Sequence, residues 1–572
     1  MERDEYNDPH KKSAWFWSLA TLLFSGVLIL EFSFDLSKES ELYWFAIALD
    51  FLVVAGFVSY LVHGAILSRN RLWTFIYTER VNLILLVLIT PALFVPRLAA
   101  GMIIARSVIG ATTNILYTSL GQRLIAQLNL RPSQTLALSF VGIIAAGTVL
   151  LMFPAATADG MGTPFLEALF TATSAACVVG MSVVDVGSYF SLFGQGIILV
   201  VVQIGGLGIM VMSASFAMMM GSRLESRTHS RLSDLFDVST PDGIKNLIKA
   251  VAVSTLAAEI LGAFFLFLAF YERIDTVGTR LWWSIFHSIS AFCNSGFTLA
   301  SDSLSAWSED VYVCGIIMAL ITIGGIGFFV ISDLANPQVY EVKGVRAIWQ
   351  RLQIQTKVAI LSTLLLNAFG LLFFLFLEYD GALLSLSIPG KILASLFHAV
   401  SLRTAGFYTV PHGMLAPGTV LFMMVWMFIG ANPGSTGGGI KTTTATIAVM
   451  AMRAMLLGRE DVELFGRRIS SAVVSRSLSI IFVAFSIVVT FLMIFLATQP
   501  LPFEKLAFEV VAAFATVGLS MDITNQLNDV GRVSLILLMF AGRIGPLTLA
   551  MAIGERTRAK KYSLPEGRIA VG

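Results

Sequence analysis

Charge is scarce in this sequence. Asp, Glu, Lys and Arg together make up 13% of its 572 residues, against roughly 25% in a typical soluble domain. A water-facing globule is excluded on that ground. Histidine is scarcer, with 6 residues, and cysteine has only 3. Cys177, Cys293 and Cys314 lie in apolar text without C-x-x-C spacing, so neither a disulfide framework nor a zinc site is supported. Lys and Arg number 38 against 36 acids, a net charge of +2, and the basic excess that a nucleic-acid partner needs is missing. No small-residue cleavage site follows the first apolar run, after MERDEYNDPHKK, so the first helix is expected to stay in the chain.

What is present is apolar. Hydrophobic residues reach 56% and mean hydropathy is +0.81. A helix needs about 20 apolar residues to cross a bilayer core. Twelve segments are candidates, near 14–33, 43–66, 81–95, 98–118, 133–155, 190–220, 247–270, 308–332, 355–379, 417–450, 475–497 and 530–553. The chain is therefore expected to be an all-α polytopic membrane protein. From residue 133 on, the spans pair around a shorter glycine-bearing stretch that cannot cross by itself and reads as re-entrant.

Basic residues orient the spans, because cytoplasmic loops collect Lys and Arg. Nineteen lie on one side: Arg223, Arg227, Arg231, Lys245, Lys249, Lys343, Arg346, Arg351, Lys357, Arg453, Arg459, Arg467, Arg468, Arg476, Arg556, Arg558, Lys560, Lys561 and Arg568. The other side, with the re-entrant stretches, holds Arg273, Arg280, Lys391, Arg403, Lys505 and Arg532. Both termini are expected in the cytoplasm, with the re-entrant stretches entering from outside.

Four stretches align: FTATSAACVVGMS at Gly180, FHSISAFCNSGFT at Gly296, FHAVSLRTAGFYT at Gly406 and FEVVAAFATVGLS at Gly518. Phe170, Phe286 and Phe508 stand ten positions before their glycines, whereas Phe397 stands nine before its own. Pro164, Pro389 and Pro502 open three of the stretches, where the first turn of a helix has no use for an N–H. Each stretch is expected to be a short helix ending in a glycine turn. A second motif follows each: IGGLG at 204–208, IGGIG at 323–327, IGANPG at 429–434 and AGRIG at 541–545. Four such units around one axis bring four glycine turns together. Glycine allows positive φ, so carbonyl oxygens can face inward unobstructed. Non-helical backbone at membrane depth belongs where it lines a path, and a carbonyl ring can replace the hydration shell of a potassium-sized cation.

TATSAACVVG with QIGGLGIM, SAFCNSGF, SLRTAGF, and FATVGLS with AGRIGPLTLA resemble the TrkH/KtrB/HKT superfamily of potassium transporters over about 133–555. The resemblance implies four membrane–pore-loop–membrane repeats in pseudo-fourfold arrangement and a potassium filter. It also implies a homodimer in the cell membrane that binds a cytosolic nucleotide-sensing (RCK-type) subunit. Sodium-favouring relatives carry serine at the first filter position; here it is Gly180. The ion-binding candidates are Val178, Val179 and Gly180; Asn294, Ser295 and Gly296; Thr404, Ala405 and Gly406; and Thr516, Val517 and Gly518. GANPGSTGGGIKTTT (430–444) matches the family's gating loop, and its glycine and proline density cannot sustain a helix. The gate candidates are Gly434, Ser435, Thr436, Gly437, Gly438, Gly439 and Lys441, with Arg543 as a positive barrier in the path.

The expected organisation is a four-helix region over 1–132 without an assigned role, repeats over 133–220, 247–332, 355–450 and 475–553, and a basic tail over 554–572. The tail reads equally as a lipid or subunit contact and as a positive-inside flank. Ala512 and Ala515 stand where relatives often carry Ser and Gly, which bears on support of the fourth turn. GSTGGGIKT resembles a phosphate loop, but Ile440 breaks the pattern and no strand precedes it. His287 and His398 are expected to pack rather than relay protons, with no carboxylate at matching register. Arg403 is expected to tether its loop, against a carboxylate behind it. Asp185 and Asp522 read either as outer-mouth charges or as solvated loop residues, and Glu259 either as a functional acid or as a bundle contact. An ion pair is expected between Asp50 and Arg106. Arg97, Arg106 and Arg123 are too widely spaced for a voltage sensor, so residues 1–132 are read as a docking or anchoring bundle. No cofactor is expected beyond the transported ion. The alternatives are a sodium or cation-coupled transporter of the same fold and a membrane-embedded transferase. The latter lacks any cluster of acids or histidines, including H-E-x-x-H.

Overall fold

The computed structural model describes residues 132–224, 241–342 and 344–545, and position 58. The four spans expected before residue 132, the Asp50–Arg106 pair, Arg97 and Arg123, and the tail from 554 lie outside the described residues. The chain divides into two compact units. Of the unit formed by residues 1–130 and 151–163, the stretch 151–163 holds a single 3-10 turn at Pro154–Ala156. It is closed by the Gly162 N–H donating to Thr157 Oγ1 at 3.0 Å.

The larger unit repeats one order of elements. A leading helix, a short helix, an extended turn and a following helix are α1 (Pro132–Leu151), α2 (Phe165–Ala176) and α3 (Leu192–Leu224). Next come α4 (Pro241–Ala269), α5 (Val277–Phe292) and α6 (Val311–Ile326), which continues as α7 (Phe328–Leu334). Then come α8 (Ile354–Glu378), α9 (Ile388–Ser401), α10 (Pro417–Phe428) and α11 (Thr442–Leu456). The last set is α12 (Ser471–Thr498), α13 (Phe503–Phe514) and α14 (Asp529–Ile544). Lys249–Ala269, Ile354–Glu378 and Ser471–Thr498 are each long and apolar enough to cross a bilayer.

Contacts between these sets run in chain order and return to the start. The following helix α3 packs on α5, α6 on α9, α10 on α13, and α14 on α2. The short helices are the most buried elements: Phe170, Phe286, Phe397 and Phe508, the aligned phenylalanines, are at most 1% exposed. Phe264, Phe376 and Phe482 on the leading helices are instead exposed. This inverts the usual globular pattern, as a lipid solvent would.

One expectation is corrected. The span 308–332 is not one helix: α6 and α7 meet at 95°, because Gly327 adopts φ +93° and ψ 144°, a conformation closed to residues with a side chain. The described residues are helical in keeping with the expected all-α class, apart from one short hairpin. Val462–Leu464 and Arg467–Ile469 pair antiparallel around Phe465 and Gly466, both at positive φ, which suits a tight two-residue hairpin turn.

Candidate functional site

The short helices end at Cys177, Cys293, Leu402 and Ala515, each still right-handed. The chain then reverses handedness. Val178, Asn294, Thr404 and Thr516 have φ of 55°, 58°, 68° and 53°, and the glycines two places on have 88°, 74°, 78° and 87°. Positive φ at a β-branched residue is strained, at about 1–3 kcal/mol each. Backbone bonds hold it in place: Val179 N–H donates to Ser174 O at 2.8 Å, Ser295 to Ser290 at 2.8 Å and Val517 to Ala512 at 2.9 Å. In the third turn Ala405 N–H reaches back only to Ser401, at 2.9 Å. There the helix stops two residues earlier relative to its phenylalanine, and Arg403, added between cap and turn, makes up one of the two. That accounts for the shorter spacing from Phe397.

The four turns touch in a cycle. A β-carbon on Gly180 would fall 2.0 Å from Ser295 O, on Gly296 2.6 Å from Ala405 O, on Gly406 2.4 Å from Val517 O, and on Gly518 1.8 Å from Val179 O. Each glycine thus lies against the carbonyl that precedes the next glycine, and the fourth closes on the first. Residues after the glycines line a cavity of about 290 Å³ on one side of this ring, with Asp185, Asp522, Tyr408, Ser520 and Thr524 in its wall.

The second motif exists because it packs on the first. A β-carbon on Gly205, Gly324 or Gly542 would lie 2.1, 1.8 or 1.9 Å from the carbonyl oxygens of Ala176, Phe292 and Phe514, the last residues of their short helices. Only a glycine lets a helix backbone approach that closely. In the third set Gly430 lies instead against Gly438 O, because the chain there leaves the helix.

Residues 429–441 form no helix and are largely buried between α10 and α11. Asn432 N–H donates to Gly325 O at 3.2 Å, Thr436 Oγ1 to Phe292 O at 3.2 Å, and Phe328 N–H to Gly434 O at 2.9 Å. Lys441 Nζ donates to Gly437 O at 2.6 Å, and Thr442 Oγ1 bonds Asn432 Oδ1. β-Carbons on Gly437 and Gly438 would fall 2.1 and 2.2 Å from Oγ1 of Thr404 and Thr516. The segment therefore lies against the ring on the side opposite the cavity. Arg543, 3% exposed, donates through Nη1 to Thr436 O and through Nη2 to Gly205 O at 2.9 Å. No salt bridge among the described residues includes it.

Other singled-out residues fall into place around this ring. Arg403 is 6% exposed, and Nε and Nη2 reach no hydrogen-bond partner among the described residues; the carboxylate expected behind it is not among them. His287 bonds Trp283 O through Nδ1 at 2.8 Å and packs on Phe270, and His398 stacks on Phe374 with centroids 4.5 Å apart. Both pack, as expected. Glu259 accepts from Gln203 Nε2 at 3.1 Å and lies 4.0 Å from Cys293 Sγ.

One expectation fails on the alignment itself. Thr171, His287, His398 and Glu509 each follow the aligned phenylalanine, so a carboxylate does occupy the register of the two histidines. Glu509 was missed because a polar residue in an apolar helix gives no periodic signal. It is fully buried, bonds Ser520 Oγ, and accepts from Thr524 Oγ1 at 3.1 Å.

Comparison with known proteins gives matches over most of the chain. The family model TrkH, described as a cation transport protein, matches residues 112–560. The Ktr system potassium uptake protein B of Vibrio alginolyticus is 37% identical over 439 residues, 76% of this chain and 94% of that one. Its namesake in Bacillus subtilis (strain 168) is 34% identical over 452 residues, 79% and 99% of the two chains. The potassium/sodium uptake protein NtpJ of Enterococcus hirae is 34% identical over 451 residues, 77% and 98%. In fold, the crystal structure of the potassium transporter TrkH from Vibrio parahaemolyticus matches with a TM-score of 0.59 at 18% identity, over 89% of this chain and 97% of that one.

Proposed function

Because the chain belongs to the TrkH family of cation transport proteins, transporters and not enzymes, we propose that it carries potassium through the ring at Gly180, Gly296, Gly406 and Gly518. The cyclic contact of each glycine with the carbonyl before the next one carries this reading. Four carbonyl-bearing turns on one axis offer a dehydrated cation the oxygens it gave up. The C-terminal ends of four short helices beside them add partial negative charge. The potassium uptake relatives agree with this ion.

In this reading the four sets of helices are pseudo-fourfold pore repeats preceded by about four further N-terminal spans. Residues 430–444 are the gate, with Gly434, Ser435, Thr436, Gly437, Gly438, Gly439 and Lys441 at its centre. Arg543 sets a barrier, since a buried positive charge in the path repels cations. The basic loops and both termini are cytoplasmic, and the 290 Å³ cavity is the outer vestibule, where Asp185 and Asp522 concentrate cations. The motif resemblance further supports a homodimer in the lipid of the cell membrane, served by a cytosolic nucleotide-binding subunit.

A second reading, in which sodium or another coupled cation accompanies or replaces potassium, is favoured by the Enterococcus relative, a potassium/sodium uptake protein. Reversal potentials of the reconstituted full chain, with potassium, sodium and proton gradients imposed separately, divide the two. A potential that follows potassium alone is expected; one that tracks sodium or protons moves the protein to the second reading. Absence of cation flux in correctly inserted protein would overturn both.

A further inference from the structure

Three of the four short helices carry a serine four residues after the aligned phenylalanine: Ser174, Ser290 and Ser401. Two of these tie their helix to the chain just past the turn. Ser290 Oγ donates to Phe297 O at 2.7 Å and Ser401 Oγ to Phe407 O at 2.5 Å, and each acceptor directly follows its glycine. The fourth helix has Ala512 at that position and no hydroxyl to offer.

The fourth turn is tied in another way. Glu509, one helical turn before Ala512, bonds Ser520 Oγ and accepts from Thr524 Oγ1 at 3.1 Å. Ser520 Oγ in turn accepts the Asp522 N–H at 3.0 Å. Gly518, Ser520, Asp522 and Thr524 all belong to the cavity wall beside the ring. In a buried site the loss of one hydrogen-bond partner leaves the other unsatisfied.

We propose that Glu509 is a specificity-determining positioning residue: it replaces the missing serine tie and holds the fourth turn, through Ser520 and Thr524, in the register that the ring requires. It acts through these hydroxyls and touches no ion. The inference rests on the filter reading above and deepens it. The second and third turns are then tied by serine hydroxyls, the first by neither device, since Ser174 Oγ reaches no partner among the described residues, and the fourth alone by a carboxylate.

The test uses the reconstituted full chain and measures potassium and sodium flux. Glu509→Leu and Ser520→Ala cut the two ends of the tie. Each is expected to lower potassium over sodium selectivity about tenfold, raising KM for potassium more than it lowers the maximal rate. Glu509→Gln keeps an acceptor oxygen and is expected to stay within about twofold of the unmodified chain. Adding Ala512→Ser to Glu509→Leu supplies a hydroxyl to Leu519 O, in the manner of Ser290 and Ser401, and should recover most of the loss. Where Glu509→Leu fails to insert, Ser520→Ala carries the test. Unchanged selectivity in inserted single variants overturns the proposal, as does a double variant with no recovery. Gly518→Ser separates the two levels: if it loses selectivity while the tie variants keep it, only this inference falls, and if none changes selectivity, the filter reading falls with it.

Discussion

Arg543 bridges two backbone carbonyls from distant parts of the chain: Nη1 donates to Thr436 O in the irregular segment, and Nη2 to Gly205 O in α3 at 2.9 Å. The side chain thus pins residues 429–441 against a following helix and places its charge beneath the ring. Replacing it with alanine removes the tether and, on the proposed reading, the repulsion, and potassium flux is expected to rise about tenfold. Arg543→Lys should fall between, since an ammonium lacks the planar fork that spans two acceptors. Loss of flux in correctly inserted Arg543→Ala would count against the barrier.

Gly327 supplies a second constraint on the same segment. Its φ of +93° turns the chain by 95°, and a β-carbon there would fall 2.5 Å from Pro433 O. Gly327→Ala should displace Pro433 and Gly434, break the bond from the Phe328 N–H, and raise basal flux. Alanine in this glycine-only region costs about 1–3 kcal/mol, so the melting temperature of the purified protein is expected to fall as well. A variant with unchanged flux and melting would remove Gly327 from the account.

The close packing of following helices on short-helix ends predicts a contrast within one helix. Gly324→Ala places a methyl 1.8 Å from Phe292 O, whereas nothing described lies within 4 Å of a methyl at Gly315. Overpacking of that kind costs about 1–3 kcal/mol, while alanine at an open helical site gains up to about 1 kcal/mol over glycine. Thermal unfolding in detergent should therefore show Gly324→Ala well below the unmodified chain and Gly315→Ala at or above it.

A pH effect is expected at the loop before α6. Glu309 Oε1 accepts the Ser387 N–H, the N-cap of α9, at 2.7 Å, and hydrogen bonds from Ser387 hold this carboxyl below its usual range. A lowered folded-state pKa means that the stabilisation is present above the unfolded value of about 4.3 and is lost as pH falls through the folded value. Glu309→Gln should accordingly melt below the unmodified chain at pH 7, with the difference shrinking as pH falls below the unfolded value and vanishing once pH is below the lowered folded value. An equal difference at both pH values would contradict this role.

Much of this architecture was legible because it repeats. The aligned phenylalanines and glycines give the short helices, and the turn at each glycine follows from the absence of a side chain. The second motif was visible as text, but its cause, contact of Gly205, Gly324 and Gly542 with helix-end carbonyls, needs the third dimension. Positive φ at Val178 and Thr516 carries no sequence signal, since β-branched residues normally avoid it. The kink at Gly327 was hidden because IGGLG and IGGIG read alike, yet α3 runs unbroken through the first. Glu509 stood in plain view at the register of His287 and His398, and only its bonds to Ser520 and Thr524 reveal a purpose.

The central claim, that the ring is the selective element, meets its most direct test at Gly180. Serine there must place its β-carbon where Ser295 O now lies, at 2.0 Å, so the first and second turns must part. The measurement is the potassium/sodium flux ratio of reconstituted Gly180→Ser beside the unmodified chain. A ratio reduced about tenfold or more is predicted; an unchanged ratio in correctly inserted protein would contradict the assignment of the filter to these four turns.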